Sequence, residues 1–275
     1  MTTHEFHSPK PAQLYVEAGS GTLTLTAHET DTTTIEILGE EADQVEVRQD
    51  GDQISVVAPH HRSGFFGKDQ KLDITISLPT DSGVVTRTGS MDLTASGEFG
   101  DVRLKSGSGD LEFDGSVESA GVETGSGDLS LRECRGSLRV KSGSGDILVG
   151  TVSEESTIST GSGDVRLEAC HGDTAVKTGS GDLRVTEADA DVSLSTGSGD
   201  LMIDVVRTGR VTLKGASGDA QIGIPVGTPV WTDISTVSGD ITSNLESTGA
   251  PEEGADHVEL RVKTVSGDIA LRQQR

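Results

Sequence analysis

A five-residue phrase, Ser/Thr-Gly-Ser-Gly-Asp, recurs along this chain at a fixed interval, and that interval limits what the chain can fold into. The phrase ends at Asp110, Asp128, Asp146, Asp164, Asp182 and Asp200, each aspartate eighteen positions after the one before. A degenerate copy, Thr88-Gly-Ser-Met-Asp92, precedes the first by the same step. Shortened Ser-Gly-Asp copies end at Asp219, Asp240 and Asp268, so the step lengthens towards the end of the chain. A fixed period of roughly 20 residues is the mark of stacked coils, and it outranks any local propensity.

The apolar residues keep the same beat. Counted from each Asp, the first position holds Leu93, Leu111, Leu129, Ile147, Val165, Leu183 and Leu201. The third holds Ala95, Phe113, Leu131, Val149, Leu167, Val185 and Ile203, and the twelfth holds Leu104, Val122, Val140, Ile158, Val176 and Leu194. The tenth is looser, with Val102, Ala120, Leu138, Ser156, Thr174 and Val192, and the sixth holds Cys134, Val152, Cys170, Ala188 and Val206. This predicts two short alternating strands per repeat, one just after the Asp and one just before the glycine turn. Stacking the repeats about 4.8 Å apart sets like residue over like and builds one continuous narrow core. Small and polar residues at the tenth and sixth positions predict that the core thins at one end of each coil. A left-handed hexapeptide helix would need apolar residues six apart, and a calcium β-roll would need Gly-Gly-x-Gly-x-Asp twice per repeat; neither spacing is present.

Before the repeats, the stretch 14–25 carries the same apolar spacing, with Thr22 where Asp would sit. Alternating runs at 34–38, 45–48, 54–58 and 72–78 read as short strands, and Asp50-Gly51-Asp52 reads as a hairpin turn. The organisation predicted is a tail at 1–13, irregular first coils or a β cap at 14–86, and the repeat solenoid at 87–275, continuous with the cap as one domain. After Asp200 the period loosens around Pro225, Pro229 and Trp231, a loop is inserted at 249–256, and the last strand, with no capping helix after it, is expected to leave an open edge.

Glycine accounts for 36 of the 275 residues, yet the fixed period and 32% hydrophobic content argue against disorder. Aromatic residues make up 3%, too few for a thick core or an aromatic-lined sugar groove. The net charge of −23 disfavours nucleic acid and anionic lipid as ligands and leaves metal ions, polycations and basic proteins. Residues 1–11 lack the basic start and apolar run of a secretory signal, and no stretch is long enough to span a bilayer, so the expected location is the cytoplasm. Cys134 and Cys170 lie two repeats apart, which puts them about 9–10 Å from each other in a stack, beyond disulfide reach. Two reduced, buried thiols suit a reducing compartment.

Three features invite a chemical reading. The first is the column formed by Asp110, Asp128, Asp146, Asp164, Asp182 and Asp200. Lysines at 105, 141, 177, 214 and 263 are kept two repeats apart, whereas the aspartates occupy every repeat, so their repulsion must be compensated. Turn capping does this if each carboxylate accepts hydrogen bonds from backbone N–H groups or serine hydroxyls. A column of weak cation sites, such as Ca²⁺ on oxygen ligands, is the sharper alternative. Identical residues on every rung single out no acid–base pair, so no catalytic residue and no cofactor is assigned. The second feature is the segment 59–68, where His60, His61, Arg62 and Lys68 surround Phe65 and Phe66; it is the candidate contact for a partner. The third is the set of seven histidines, scattered apart from one adjacent pair and without zinc-ligand spacing. Gly-Ser-Gly-Asp also lacks the lysine and the helix of a phosphate loop.

Taken together, the strand-rich start, the Arg-x-Gly-Phe-Phe-Gly loop beginning at Arg62, the segment 72–79 and the repeated Thr-Gly-Ser-Gly-Asp-Leu/Val resemble the bacterial DUF4097 family over nearly the whole chain. The resemblance implies β-strand repeats, an adhesin-like role and a link to the cell envelope. It transfers no catalytic residue. The fold expected is all-β, a parallel-stacked β-solenoid, acting as a non-enzymatic scaffold or binding module. The partner expected is a protein or an envelope-associated component, not nucleic acid, and end-to-end self-association follows from an open edge. A β-helix enzyme acting on polysaccharide is the rival from another class.

Overall fold

A computed structural model describes residues 1–59, 71–246 and 257–274. The chain is all-β, a β-solenoid of mostly parallel strands, and it divides into two compact units, Met1–Gly136 and Ser137–Arg275.

The first unit starts with β1 (Thr2–His7), β2 (Gln13–His28) and β3 (Thr32–Leu38). After one 3₁₀ turn come β4 (Glu46–Asp50), β5 (Gln53–Val57) and β6 (Lys71–Pro79), then β7 (Ser82–Ser106), β8 (Leu111–Thr124) and β9 (Leu129–Cys134). Strand β2 pairs in parallel with β7 on one edge and with β5 and β6 on the other. Thr22 lies in register with Asp92 and Asp73, where the period puts an Asp. Antiparallel pairs β1–β3, β3–β6 and β4–β5 close this unit's start. Gly51, at φ +60, makes the expected hairpin between β4 and β5, since that left-handed conformation favours glycine. The stretch read as a tail is therefore corrected in part: Thr2–His7 pairs along its length with β3. Its alternation of half-buried and exposed residues is too weakly apolar to register in the sequence.

The second unit is the regular one. Its strands are β10 (Leu138–Ser142), β11 (Ile147–Val152), β12 (Ser156–Thr160), β13 (Val165–Cys170), β14 (Thr174–Thr178), β15 (Leu183–Ala188) and β16 (Val192–Ser198). They continue as β17 (Leu201–Val206), β18 (Gly209–Ser217), β19 (Ala220–Pro225), β20 (Val230–Ser238), β21 (Ile241–Ser243), β22 (Val258–Ser266) and β23 (Ile269–Gln274). Each strand pairs in parallel with the equivalent strand one coil away, so Ile147 faces Val165 and Val165 faces Leu183. Those residues are at most 1% exposed, as are Val149, Ile158, Val176 and Leu194. The core does not thin at the tenth position. Ser156 and Thr174 are 0% and 2% exposed, and the Ser156 hydroxyl donates to Thr174 Oγ1 at 2.9 Å, which pairs the buried polar groups across the coils.

The last coils are stacked out of chain order. Strand β22 lies between β18 and β20, and β23 lies between β19 and β21. Burial accounts for this. The coil 258–274 sets the buried Leu260 and Leu271 where β20 and β21 have Thr232 and Ser243, while the other inward positions are apolar in both, Val258, Val262 and Ile269 against Val230, Ile234 and Ile241. Inserting the more apolar coil covers both of its edges and leaves the polar one outermost, the arrangement that removes more apolar area from water. Two expectations are corrected by this. Among the described residues the unpaired edge belongs to β20 and β21, not to the last strand in sequence. The lysines are also not uniformly two coils apart, since Lys214 sits in register with Lys263. Asp233 answers that second charge at 3.4 Å from Lys263.

Candidate functional site

The aspartates that end each Gly-Ser-Gly turn form a hydrogen-bonded ladder. In the first unit the backbone N–H of Asp110 donates to Asp92 Oδ1 at 3.1 Å, and that of Asp128 donates to Asp110 Oδ1 at 3.0 Å. In the second unit the same bond joins Asp164 to Asp146, Asp182 to Asp164 and Asp200 to Asp182, at 2.8–3.1 Å. It continues from Asp219 to Asp200, from Asp268 to Asp219 and from Asp240 to Asp268, at 2.7–2.8 Å. Each carboxylate thus caps the turn of the next coil, and an ionised acceptor makes the bond stronger than a neutral one. Interdigitated main-chain bonds run the other way: Leu201 N–H donates to Asp219 C=O, Ala220 to Asp268 and Ile269 to Asp240.

This geometry explains why the phrase recurs with so little variation. Oδ1 of each Asp that caps a following coil is directed at backbone, and an arginine stands beside the column. Arg166 reaches Asp164 at 3.2 Å and Asp146 at 3.9 Å, in part balancing the column. The glycine before each Asp is needed for close approach. A Cβ at Gly163 would lie 2.0 Å from the carbonyl oxygen of Gly145, inside any permitted contact.

A second, shorter ladder escaped sequence reading. Asp191 N–H donates to Asp173 Oδ1 at 3.3 Å, and Arg210 N–H donates to Asp191 Oδ1 at 2.8 Å. Its signal is the Asp nine positions after Asp164 and Asp182, masked because other repeats place different residues there.

The ladder ends at β20 and β21. Every other ladder Asp of the second unit named as an acceptor receives an N–H from the next coil, but the Asp240 carboxylate has no hydrogen bond among the described residues. The same coil exposes Trp231 at 55%, Val237 at 83% and Ile241 at 50%, whereas Ile269, one coil inward from Ile241, is fully buried. The inserted coil is clamped by charge. Arg210 and Arg261 both bind Glu259, Arg261 Nε at 2.7 Å, and they hold its carboxyl below the usual carboxylate range, the hydrogen bond from Arg210 being the larger cause.

In the first unit a groove of about 490 Å³ is lined by Glu17, Glu41, Arg87 and Lys105, with Gly19 and Gly89 among them. Tyr15 donates to the Glu17 carboxylate, which pushes its phenol above the ordinary value. Opposite charges lining one groove suit a polar ligand. The segment with His60, His61, Arg62, Phe65, Phe66 and Lys68 lies outside the described residues. Among the described residues no group of three or more His, Cys, Asp and Glu side chains is arranged to hold a metal ion. Cys134 and Cys170 are buried and not disulfide-bonded, and burial pushes the Cys170 thiol up.

Among curated proteins none matches this chain. Solved structures that it resembles include an adhesin candidate from Parabacteroides distasonis, at 11% identity with TM-score 0.39, covering 98% of this chain and 96% of that one. A second, from Bacteroides fragilis, has 13% identity and TM-score 0.30 over 98% of this chain and 96% of that one. A candidate cell adhesion protein from Clostridium sporogenes has 12% identity and TM-score 0.24 over 99% of both chains. No helix among the described residues is long and apolar enough to cross a membrane. The profile of the Toastrack DUF4097 family matches residues 12–207 and again 151–272, and with that cover of the repeats and of the strands before them, the chain belongs to the Toastrack DUF4097 family.

Proposed function

We propose that this protein is a non-enzymatic, adhesin-like binding module, a solenoid scaffold that presents repeated outward side chains and an open coil to a protein or envelope-associated partner. The observation that carries this is the ladder itself. Its carboxylates are equivalent from coil to coil and each is committed to the backbone of the next, which is the use of a carboxylate in building a surface and not in moving a proton. The location proposed is the cytoplasm, supported by the two buried thiols.

The test is capture of partners from native cells on the immobilised chain, beside a glycan array and a turnover screen against polymers. Specific retention of a protein or glycan without cleavage is expected, and cleavage of any polymer would overturn the reading. A second reading, action on polysaccharide, is favoured by one observation: Glu17 and Glu41 share the first unit's groove with Arg87 and Lys105. Turnover lost in Glu17→Gln would establish it. Cation binding along the column from Asp110 to Asp200 is the remaining reading. Unfolding with and without a chelator decides it, and no shift in Tm is expected if the ladder is a cap.

A further inference from the structure

We propose that the open edge of β20 and β21 is a strand-docking site, and that its ligand is an extended segment of a partner protein alternating aliphatic with basic side chains. The inference rests on the binding-module reading and gives that module a ligand class.

The hydrogen-bonding groups come first. Along the second unit each coil offers the next an Asp Oδ1 acceptor and, from the residue after it, an N–H donor. At the last coil these are Asp240 Oδ1, which accepts no hydrogen bond among the described residues, and the Ile241 N–H, which by its register with Ile269 points away from β23. A segment laid parallel to β20 and carried on through the turn to β21 would satisfy both, in the geometry every inner coil uses.

Next is the apolar surface. Ile241 is half exposed, whereas the matching Ile269 is fully buried. Val230 and Ile234 are likewise only partly covered, while Val258 and Val262 beside them are at 0%. An aliphatic side chain at every second residue of an incoming strand would bury them, as β22 already does from the inner side. Strand β20 has no lysine or proline between Val230 and Ser238, and its one charge is Asp233.

Charge selects among the occupants. Residues 230–246 carry Asp233, Asp240 and Glu246 and no lysine or arginine. A second copy would bring the same acidic coil, in a chain of net charge −23, so self-association is opposed. A strand with basic residues at its outward positions is favoured, and the structure holds a precedent on the other edge. Strand β22 alternates Val258, Leu260 and Val262 with Glu259, Arg261 and Lys263, and Lys263 Nζ sits 3.4 Å from Asp233 of β20.

The probe is a labelled peptide with the sequence of residues 258–271 in which Glu259 is replaced by lysine, titrated against the intact protein and followed by fluorescence anisotropy. Saturable binding that weakens with salt is expected, with a peptide carrying glutamate at the three outward positions binding at least about tenfold more weakly. Asp240→Ala and Ile241→Pro should each weaken binding by about fivefold or more with Tm little changed, because the Asp240 carboxylate accepts no bond among the described residues and the Ile241 N–H points away from β23. Asp146→Ala, within the stack, should leave peptide affinity as it was.

Equal affinity of the wild type and both edge variants would overturn the proposal, and would point to the peptide displacing β22 instead of adding to β20. A preference for the acidic peptide would do the same, as would a dimer in sedimentation that Asp240→Ala dissolves. Absence of any peptide binding to the intact chain sinks the docking site alone. The binding-module reading fails separately, when partner capture from native cells yields nothing.

Discussion

The start of the first unit and the last coils of the second solve the same problem in opposite ways. A parallel stack has edges, and an edge of unpaired N–H and C=O groups is a liability. In the first unit β2 is flanked on its outer side by β5 and β6, and antiparallel β1, β3 and β4 close over them. In the second unit no such closure is made around β20 among the described residues. The edge is assigned instead to the coil with Thr232 and Ser243 facing inward, and the coil with Leu260 and Leu271 at those positions is drawn inside. Capping uses extra chain with a different pairing pattern. Reordering uses only the repeat, since each Ser-Gly-Asp turn accepts any other.

The largest effect that separates inner from outer coils comes from glycine. Gly163→Ala would push a Cβ to 2.0 Å from Gly145 C=O, between coils that cannot separate, and should cost at least about 3 kcal/mol in chemical denaturation. Gly239→Ala meets Gly267 C=O at 2.1 Å, yet its coil can peel away, so hydrogen exchange should rise in 230–243 while the global midpoint barely moves. A global loss in the second case would mean that the outer coil is not independent.

Side-chain truncation gives a smaller contrast. Leu260→Ala, in the inserted coil and fully buried, should cost about 2–5 kcal/mol, whereas Ile241→Ala, half exposed, should cost under about 1 kcal/mol. Equal costs would place the two coils in the same environment and refute the inversion.

The ladder itself yields a finer test. Asp146→Ala deprives Asp164 N–H of its acceptor and should lower stability by about 1 kcal/mol, while Asp146→Asn keeps an oxygen there and should stay within about 0.5 kcal/mol of wild type. Asp240→Ala removes no existing bond and should be neutral in the same thermal melts.

The smallest effect is the acid dependence of the clamp on β22. Arg210 and Arg261 hold the Glu259 carboxyl below its ordinary range, so its contribution is complete above that range and is lost as pH falls through the depressed value. The Tm difference between wild type and Glu259→Gln should therefore be constant near neutrality and shrink towards zero in acid. A difference that grows on acidification would reverse the assignment.

Much of the fold is legible because the repeat reports two things at once. Apolar residues at the first, third and twelfth positions mark inward faces, and the Gly-Asp pair marks a turn that must pack against its copy. Leu183, Val185 and Leu194 sit where that period puts them, at most 1% exposed. The order of the last coils is not legible, because it depends on which of two distant segments gains more from being covered, a comparison between Leu260 and Thr232 that no local pattern contains. Strand β1 is hidden for a similar reason: what fixes Thr2–His7 is the bare edge of β3. The Asp column is readable as a cap, but its partner, the N–H of the next aspartate, emerges only when coils are placed one over another. The unsatisfied end at Asp240 depends on the inversion and is concealed with it.

The out-of-order insertion has a consequence for how the molecule is made. A ribosome delivers residues 230–243 before residues 258–274, at a moment when Asp219 is the free end of the ladder and Asp240 can seat on it. The finished order places Asp268 between them. Assembly therefore cannot run as a simple zipper from first coil to last. Either the earlier coil waits unpaired, or it docks prematurely and must be prised off by the later one, and in both cases the second unit closes by a late, out-of-order placement that the rest of its repeats do not need.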